Sequence, residues 1–281
     1  MAEVVAVLGV PHTPLLWRTI TAPPPQGLQQ TAANFARCRS VLAAAQPDAV
    51  VLVASDHFGQ LFTHNMPAFL VGKAPAMRGT LPHEERSFGL PRSRVPGHPE
   101  LARSIVGRHE LPPEFDFACS DEPWLDHGSM VPLLYLTPEL DVPVVPILTN
   151  TIAPPIPRAG RFAALGGYLR EAIAGWDGAD RVAVIGSGHM AQDIGGPRHF
   201  LTDSIDPEFD AGAVAWMSAG DLDAAVAGCT FDRLLAAGNT THQFLNLVTC
   251  LAAADSAPAV VAEATPSPFG MLPFFAWERT S

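Results

Sequence analysis

Apolar positions along this chain fall into two periods. Four nearly continuous runs, Val4 to Val10, Ala49 to Ala54, Val142 to Leu148 and Arg181 to Ile185, are rich in β-branched residues. Such runs predict strands buried on both faces of a sheet. Three- and four-residue spacing takes over between them. It predicts a helix from Gly27 to Gln46 through Leu28, Ala32, Phe35 and Leu42, and another from Arg158 to Gly175 through Phe162, Leu165, Leu169 and Ile173. Further helices are expected over Glu100 to His109, Ser129 to Leu136, Pro207 to Ala219, Phe231 to Ala236 and His242 to Ala254, the last capped by Asn239-Thr240-Thr241. Asp116-Phe117-Ala118, Val260 to Ala262 and Met271 to Trp277 supply shorter strands. Two prolines in Val142 to Leu148 predict an edge or irregularly paired strand. Residues 59–100 break the rhythm with Pro, Gly and charge, and read as a long excursion with one edge strand that covers or lines a site.

Strand-helix alternation without a repeat or linker implies an α/β fold. The expectation is a single domain over 1–281, with a central mixed, mostly parallel β-sheet flanked by helices. In such sheets ligands bind at the carboxyl ends of the strands. Three predicted strands end in histidine: His12 within Pro11-His12-Thr13-Pro14, His57 within Ser55-Asp56-His57-Phe58, and His189 after Gly186-Ser187-Gly188. His127 opens the turn after a further element. Singly each reads as a hydrogen-bonded structural residue. Together they predict imidazoles converging on one sheet edge, where they can bind a metal or move protons.

Composition narrows the partners. A net charge of −11 argues against nucleic acid or an anionic membrane as partner. Arg78, Arg86, Arg92 and Arg94 read as a solvated loop cluster. The 4 cysteines are scattered, which argues against a disulfide framework or structural zinc, and Cys38 and Cys250 read as buried thiols. Without an evident signal peptide or an apolar run of spanning length, the expected setting is cytoplasmic.

Five motifs in order, Pro11 to Pro14, Ser55 to Phe58, Leu125-Asp126-His127-Gly128, the Gly-Ser-Gly loop at 186 and Asn239 to Asn246, resemble the class III (LigB-type) extradiol ring-cleavage dioxygenases. That resemblance implies Fe(II), held by two histidines at His12 and His57 and a third ligand at Gln243, with an aromatic substrate and O₂. It implies an active-site histidine at His127, which Asp126 orients unless it caps the following turn. Two positions depart from the family pattern. Gln243 stands where a glutamate ligand is usual, and Gln192 stands where a histidine base is usual, with His189 three residues earlier. A glutamine carbonyl adds no charge to a metal site, and a glutamine is not a general base at neutral pH. His189 is therefore expected to turn inward as its replacement, with Gln192 positioning substrate. Asp56 reads as a turn or supporting residue, Asp193 as a further spare carboxylate, and His242 as an exposed first-turn residue. Two other readings stay open: a non-oxidative hydrolase, lyase or isomerase using His127 and His189, and a non-catalytic subunit paired with a homologous active one. Homo-oligomerisation is the remaining partner expectation.

Overall fold

The structure, a computed structural model, describes residues 2–107, 109–178, 181–196, 198–199 and 203–278. Its strands are β1 (Glu3–Val10), β2 (Ala49–Ser55), β3 (Phe69–Gly72), β4 (Ala76–Gly79), β5 (Ser93–Pro96), β6 (Ala118–Ser120), β7 (Trp124–Leu125), β8 (Val144–Thr149), β9 (Arg181–Ser187), β10 (Val261–Ser267) and β11 (Gly270–Glu278). The helices are α1 (Leu15–Thr19), α2 (Gln29–Ala45), α3 (Pro82–Phe88), α4 (Pro99–Val106), α5 (His127–Leu136), α6 (Ala159–Ala174), α7 (Pro207–Ala219), α8 (Leu222–Gly228), α9 (Phe231–Ala237) and α10 (Leu245–Ala253), the last entered through a 3-10 turn, Thr241–Phe244.

The main sheet runs β10-β11-β1-β9-β2-β8-β3-β6. Its centre, β1, β9, β2 and β8, is all parallel. Antiparallel partners close it, with β11 beside β1 and β3 beside β8. A small second sheet, β5-β4-β7, lies in the excursion. Alternate residues of β2 feed two cores. Val51 and Val53 pack with α4, α6 and α10 on one face, while Val50, Leu52 and Ala54 pack with α2 and α5 on the other. Gly186 lets α10 lie close on β9, because a Cβ there would sit 2.2 Å from Cys250 Sγ. Cys38 and Cys250 are buried, as their helical patterns implied. No helix among the described residues is long and apolar enough to cross a membrane.

Several expectations need correction. The Val144–Thr149 strand is central, between β2 and β3, not an edge. Pro143 precedes it and offers its carbonyl to Val50 N at 2.9 Å, and the ladder with β3 stops at Val71 opposite Ile147, one residue short of Pro146. Neither proline therefore has to donate where a partner waits. The 59–100 excursion holds three strands and a helix instead of one edge strand. Helix α4 ends at Val106, before position 108, which lies outside the described residues. Helix α5 starts two residues earlier than the pattern suggested, and α8 was not expected. Asn239-Thr240-Thr241 does not cap α10. Its side chains instead clamp the 192–194 loop: Thr241 Oγ1 accepts from Gln192 N, Thr240 Oγ1 donates to Gln192 O, and Asn239 bonds both backbone groups of Ile194.

Candidate active site

The carboxyl ends of β1, β2 and β9 lie side by side and deliver His12, His57 and His189 to one edge, where the start of α5 adds His127. The four imidazoles form one cluster. Ring centroids are 5.1 Å apart for His12 and His57, 4.1 Å for His12 and His189, and 4.1 Å for His57 and His127. Beneath them Asn246, on the first turn of α10, donates to Ser187 O at 2.8 Å and to Ser55 Oγ, and accepts from Thr149 Oγ1. One buried amide thus ties α10 to three strand ends and sets where Gln243, three residues earlier, must lie.

Hydrogen bonding fixes the tautomers. Ser187 Oγ donates to Gly128 O at 2.5 Å, so its contact with His12 Nδ1 at 2.8 Å is one in which the imidazole donates. His12 Nε2 then carries a lone pair, and this atom is buried without a hydrogen-bond partner. Asp126 Oδ2 accepts from His57 N at 2.7 Å and from His57 Nδ1 at 3.0 Å, leaving the His57 Nε2 lone pair 3.2 Å from Gln243 Oε1. Two acceptors facing each other with a third unpartnered beside them call for a shared cation or proton.

Asp126 does not orient His127. Its Oδ1 caps α5 through Gly128 N at 2.9 Å, and its Oδ2 serves His57. Glu84, on α3, orients His127 instead. Its Oε1 accepts from His127 N at 2.9 Å and from His127 Nδ1 at 2.6 Å, while Oε2 accepts from Leu81 N at 3.0 Å. The Glu84 side chain is 1% exposed. It escaped sequence reading because His83-Glu84-Glu85-Arg86 looks like a solvated helix face. The available signal was a helix start, Pro82 at the first position and Glu84 at the third, a place where a carboxylate turns back to the chain.

Burial dominates the electrostatics of the imidazoles. It pushes His12 well below the usual histidine range, helped by the charges of His189, His57 and His127. Burial likewise lowers His127, against the opposing pull of Glu84, and brings His189 down to about 3. His57 is the exception: burial would lower it, but the charge and hydrogen bond of Asp126 outweigh that and raise it. Burial would raise Asp126, yet His57 and its hydrogen bonds bring it from 3.8 down to about 2. A folded-state value below the unfolded one stabilises the fold above pH 4 and ceases to do so as pH falls through about 2. Denaturant titration of the metal-free protein should therefore show about 2 kcal/mol lost across that window. Asp126→Asn should flatten that dependence, and an unchanged slope would contradict it.

His189 turns inward, with its ring 4.1 Å from that of His12. Gln192 is also buried, with Nε2 donating to Phe269 O at 2.9 Å and Oε1 unpartnered. Both line a cavity of about 450 Å³ together with His57, His127 and Gln243, walled by Pro14, Leu15, Phe88, Ile194 and Phe269. Asp56 is a turn residue whose Oδ2 accepts from Gly59, Gln60 and Leu61 N. Asp193 pairs with Arg198, away from the cluster. His242 is buried, contrary to the exposed position expected, and lines a different cavity. In the arginine loop, Arg92 pairs with Glu85 and Arg78 lies over the Trp124 ring.

A family model described as "Catalytic LigB subunit of aromatic ring-opening dioxygenase" matches residues 6–271. The chain belongs to the LigB family. Among curated LigB-like relatives, a 2,3-dihydroxyphenylpropionate/2,3-dihydroxicinnamic acid 1,2-dioxygenase of Xanthobacter autotrophicus is 34% identical over 189 residues, 65% of this chain and 55% of that protein. Its counterpart in Mycolicibacterium vanbaalenii is 32% identical over 183 residues, 65% of this chain and 54% of that protein. The chain thus spans about half the length of the curated relatives it matches. The fold is also that of the uncharacterized protein JW3007 from Escherichia coli K12, whose crystal structure superposes with a TM-score of 0.57 at 15% identity, covering 97% of this chain and 99% of that one.

One glycine in this LigB site has no room for a side chain. A Cβ on Gly128 would lie 2.8 Å from His57 Cε1 and 2.9 Å from Ser55 O. Gly128→Ala should destabilise the protein by about 1–3 kcal/mol through overpacking and displace His57, read as a lowered melting temperature. An unperturbed melting curve would show that the ring has slack.

Proposed function

We propose that this chain is a non-haem iron dioxygenase that opens a catechol-like aromatic ring with O₂. The observation that carries the reading is that ligand atoms of His12 and His57 lie within 4.8 Å of each other, with Gln243 Oε1 3.2 Å from His57 Nε2, beside an apolar cavity of about 450 Å³. That donor set suits a divalent first-row ion: two neutral imidazoles with lone pairs facing inward, a hard carbonyl, and room for exogenous ligands. Its lack of charge is offset one atom layer out, where the Asp126 carboxylate lies behind His57 and Glu84 lies behind His127. The relatives are named for dihydroxylated aromatic substrates, the class assigned here to this cavity. Bound Fe(II) would supply the positive centre that gathers the two substrate oxygens and O₂.

The protein's own groups do the rest. Phe88, Leu15, Ile194 and Phe269 hold the ring and exclude water. His127, anchored through Nδ1 to Glu84, presents Nε2 to the cavity, where it accepts a substrate hydroxyl proton and returns it later. His189, kept neutral by burial, offers a second nitrogen across the cluster. Gln192, fixed through Nε2, offers Oε1 to a substrate hydroxyl. The test is aerobic O₂ uptake by the Fe(II)-loaded protein over a panel of 3-substituted catechols. Stoichiometric uptake with a yellow product is expected. Iron-loaded protein that consumes no O₂ with any of them would overturn the reading, and turnover without O₂ or iron would move it to a hydrolase, lyase or isomerase.

A further inference from the structure

Behind the Thr241–Phe244 turn, opposite the main cavity, lies a second cavity of about 440 Å³. Gln243 lines the first and His242 the second, so the two sit back to back on one turn. The second cavity is formed by the residues entering α6 (Ile156 to Gly160), Val226 of α8, the α8–α9 connection (Cys229, Thr230), Phe231 and Leu234 of α9, and Leu245. Three independent features point into it.

The first is the N-terminus of α6, a 16-residue helix. Its N-cap is Arg158, which offers no capping hydrogen bond, and its first turn holds no acidic residue. Arg161 N is taken by Arg158 O at 2.8 Å, which leaves the N–H groups of Ala159 and Gly160 to favour an anion. Exposed Arg158 adds a cation at the rim. The second is His242, 3% exposed, whose Nε2 is buried without a partner. The Phe231 backbone engages the ring, and Nε2 is the nitrogen left unpaired. The third is Phe231, 45% exposed at the mouth, its ring 4.7 Å from that of His242. A flat ring laid there would cover both.

We propose that this cavity is a second ligand site, for a small hydroxylated aromatic carboxylic acid. The carboxylate meets the α6 N-terminus and Arg158, the ring packs on Phe231, Ile156 and Leu234, and the hydroxyl donates to His242 Nε2. Cavity size matches one substituted ring. The inference stands apart from the proposed activity, because it concerns different residues and is read by binding alone.

Calorimetric titration of the full chain under anaerobic conditions with 4-hydroxybenzoate, benzoate and phenol tests it. Expected is binding of 4-hydroxybenzoate at least tenfold tighter than either compound that lacks one polar group. Arg158→Glu, a surface change that places a carboxylate at the α6 N-terminus, should weaken 4-hydroxybenzoate and benzoate at least fivefold. His242→Phe should bring 4-hydroxybenzoate down to the affinity of benzoate and leave benzoate unchanged. Absence of millimolar binding would overturn the proposal. So would binding that neither substitution alters, since such binding belongs to the main cavity.

Discussion

Replacing Glu84 by Gln should reduce ring-cleaving turnover by about 10²–10⁴-fold, the scale of a lost acid–base group, while leaving bound iron unchanged. The reason lies in donor counting. Glu84 Oε1 accepts twice from His127, and Oε2 accepts from Leu81 N. A glutamine has one acceptor oxygen and one NH₂, so a donor must face either a backbone N–H or His127 Nδ1. Either orientation sets the NH₂ against a backbone N–H, that of Leu81 or that of His127, and only the second lets the amide donate to Nδ1. This moves the imidazole proton to Nε2 and presents a donor to the cavity where an acceptor is required. His12 and His57 are held by other residues, Ser187 and Asp126, so metal content should not follow. Measuring kcat beside iron stoichiometry separates this from general disruption. A variant that loses iron in proportion to activity would show that Glu84 is structural, and Glu84→Asp should retain more activity than Glu84→Gln.

Gln243→Glu should tighten Fe(II) at least tenfold, equivalent to about 1.4 kcal/mol. In the protein as it stands the groups converging on the ion are neutral, and the nearest carboxylates act through an imidazole. A carboxylate at position 243 would sit 3.2 Å or so from His57 Nε2, in direct reach of the same ion. Titration with Fe(II) under anaerobic conditions gives the affinity directly. Activity at limiting iron should rise with occupancy, whereas activity at saturating iron should change little, because His127 and its partner are untouched. Unchanged affinity would mean that Gln243 does not border the ion.

Much of this site was legible because parallel strands share a carboxyl edge. His12, His57 and His189 each follow an apolar run, and three such runs in neighbouring strands bring their histidines together whatever the loops do. Glu84 was not legible, since its partner His127 is 43 residues away in a stretch where Pro, Gly and charge hide α3. For Asp126 the sequence leaves orienting His127 and capping the turn equally open; the cap holds, and the spare oxygen meets the adjacent strand end at His57. The prolines at 143 and 146 signal an edge or irregular pairing because sequence does not show where a ladder stops. Thr240 and Thr241 carry a capping pattern, yet entry through a 3-10 turn leaves their hydroxyls free to hold the Gln192 loop.

The central claim is that His12, His57 and Gln243 hold one ion. Anomalous diffraction at the iron edge, from crystals of the Fe(II)-loaded protein grown without oxygen, tests it most directly. The account predicts a single strong peak within bonding distance of His12 Nε2, His57 Nε2 and Gln243 Oε1. Close ligand atoms also group as His12, His57 and His127, and as Glu84, Asp126 and His127; a peak in the second of these groups, or no peak at the His12–His57 pair, would contradict it.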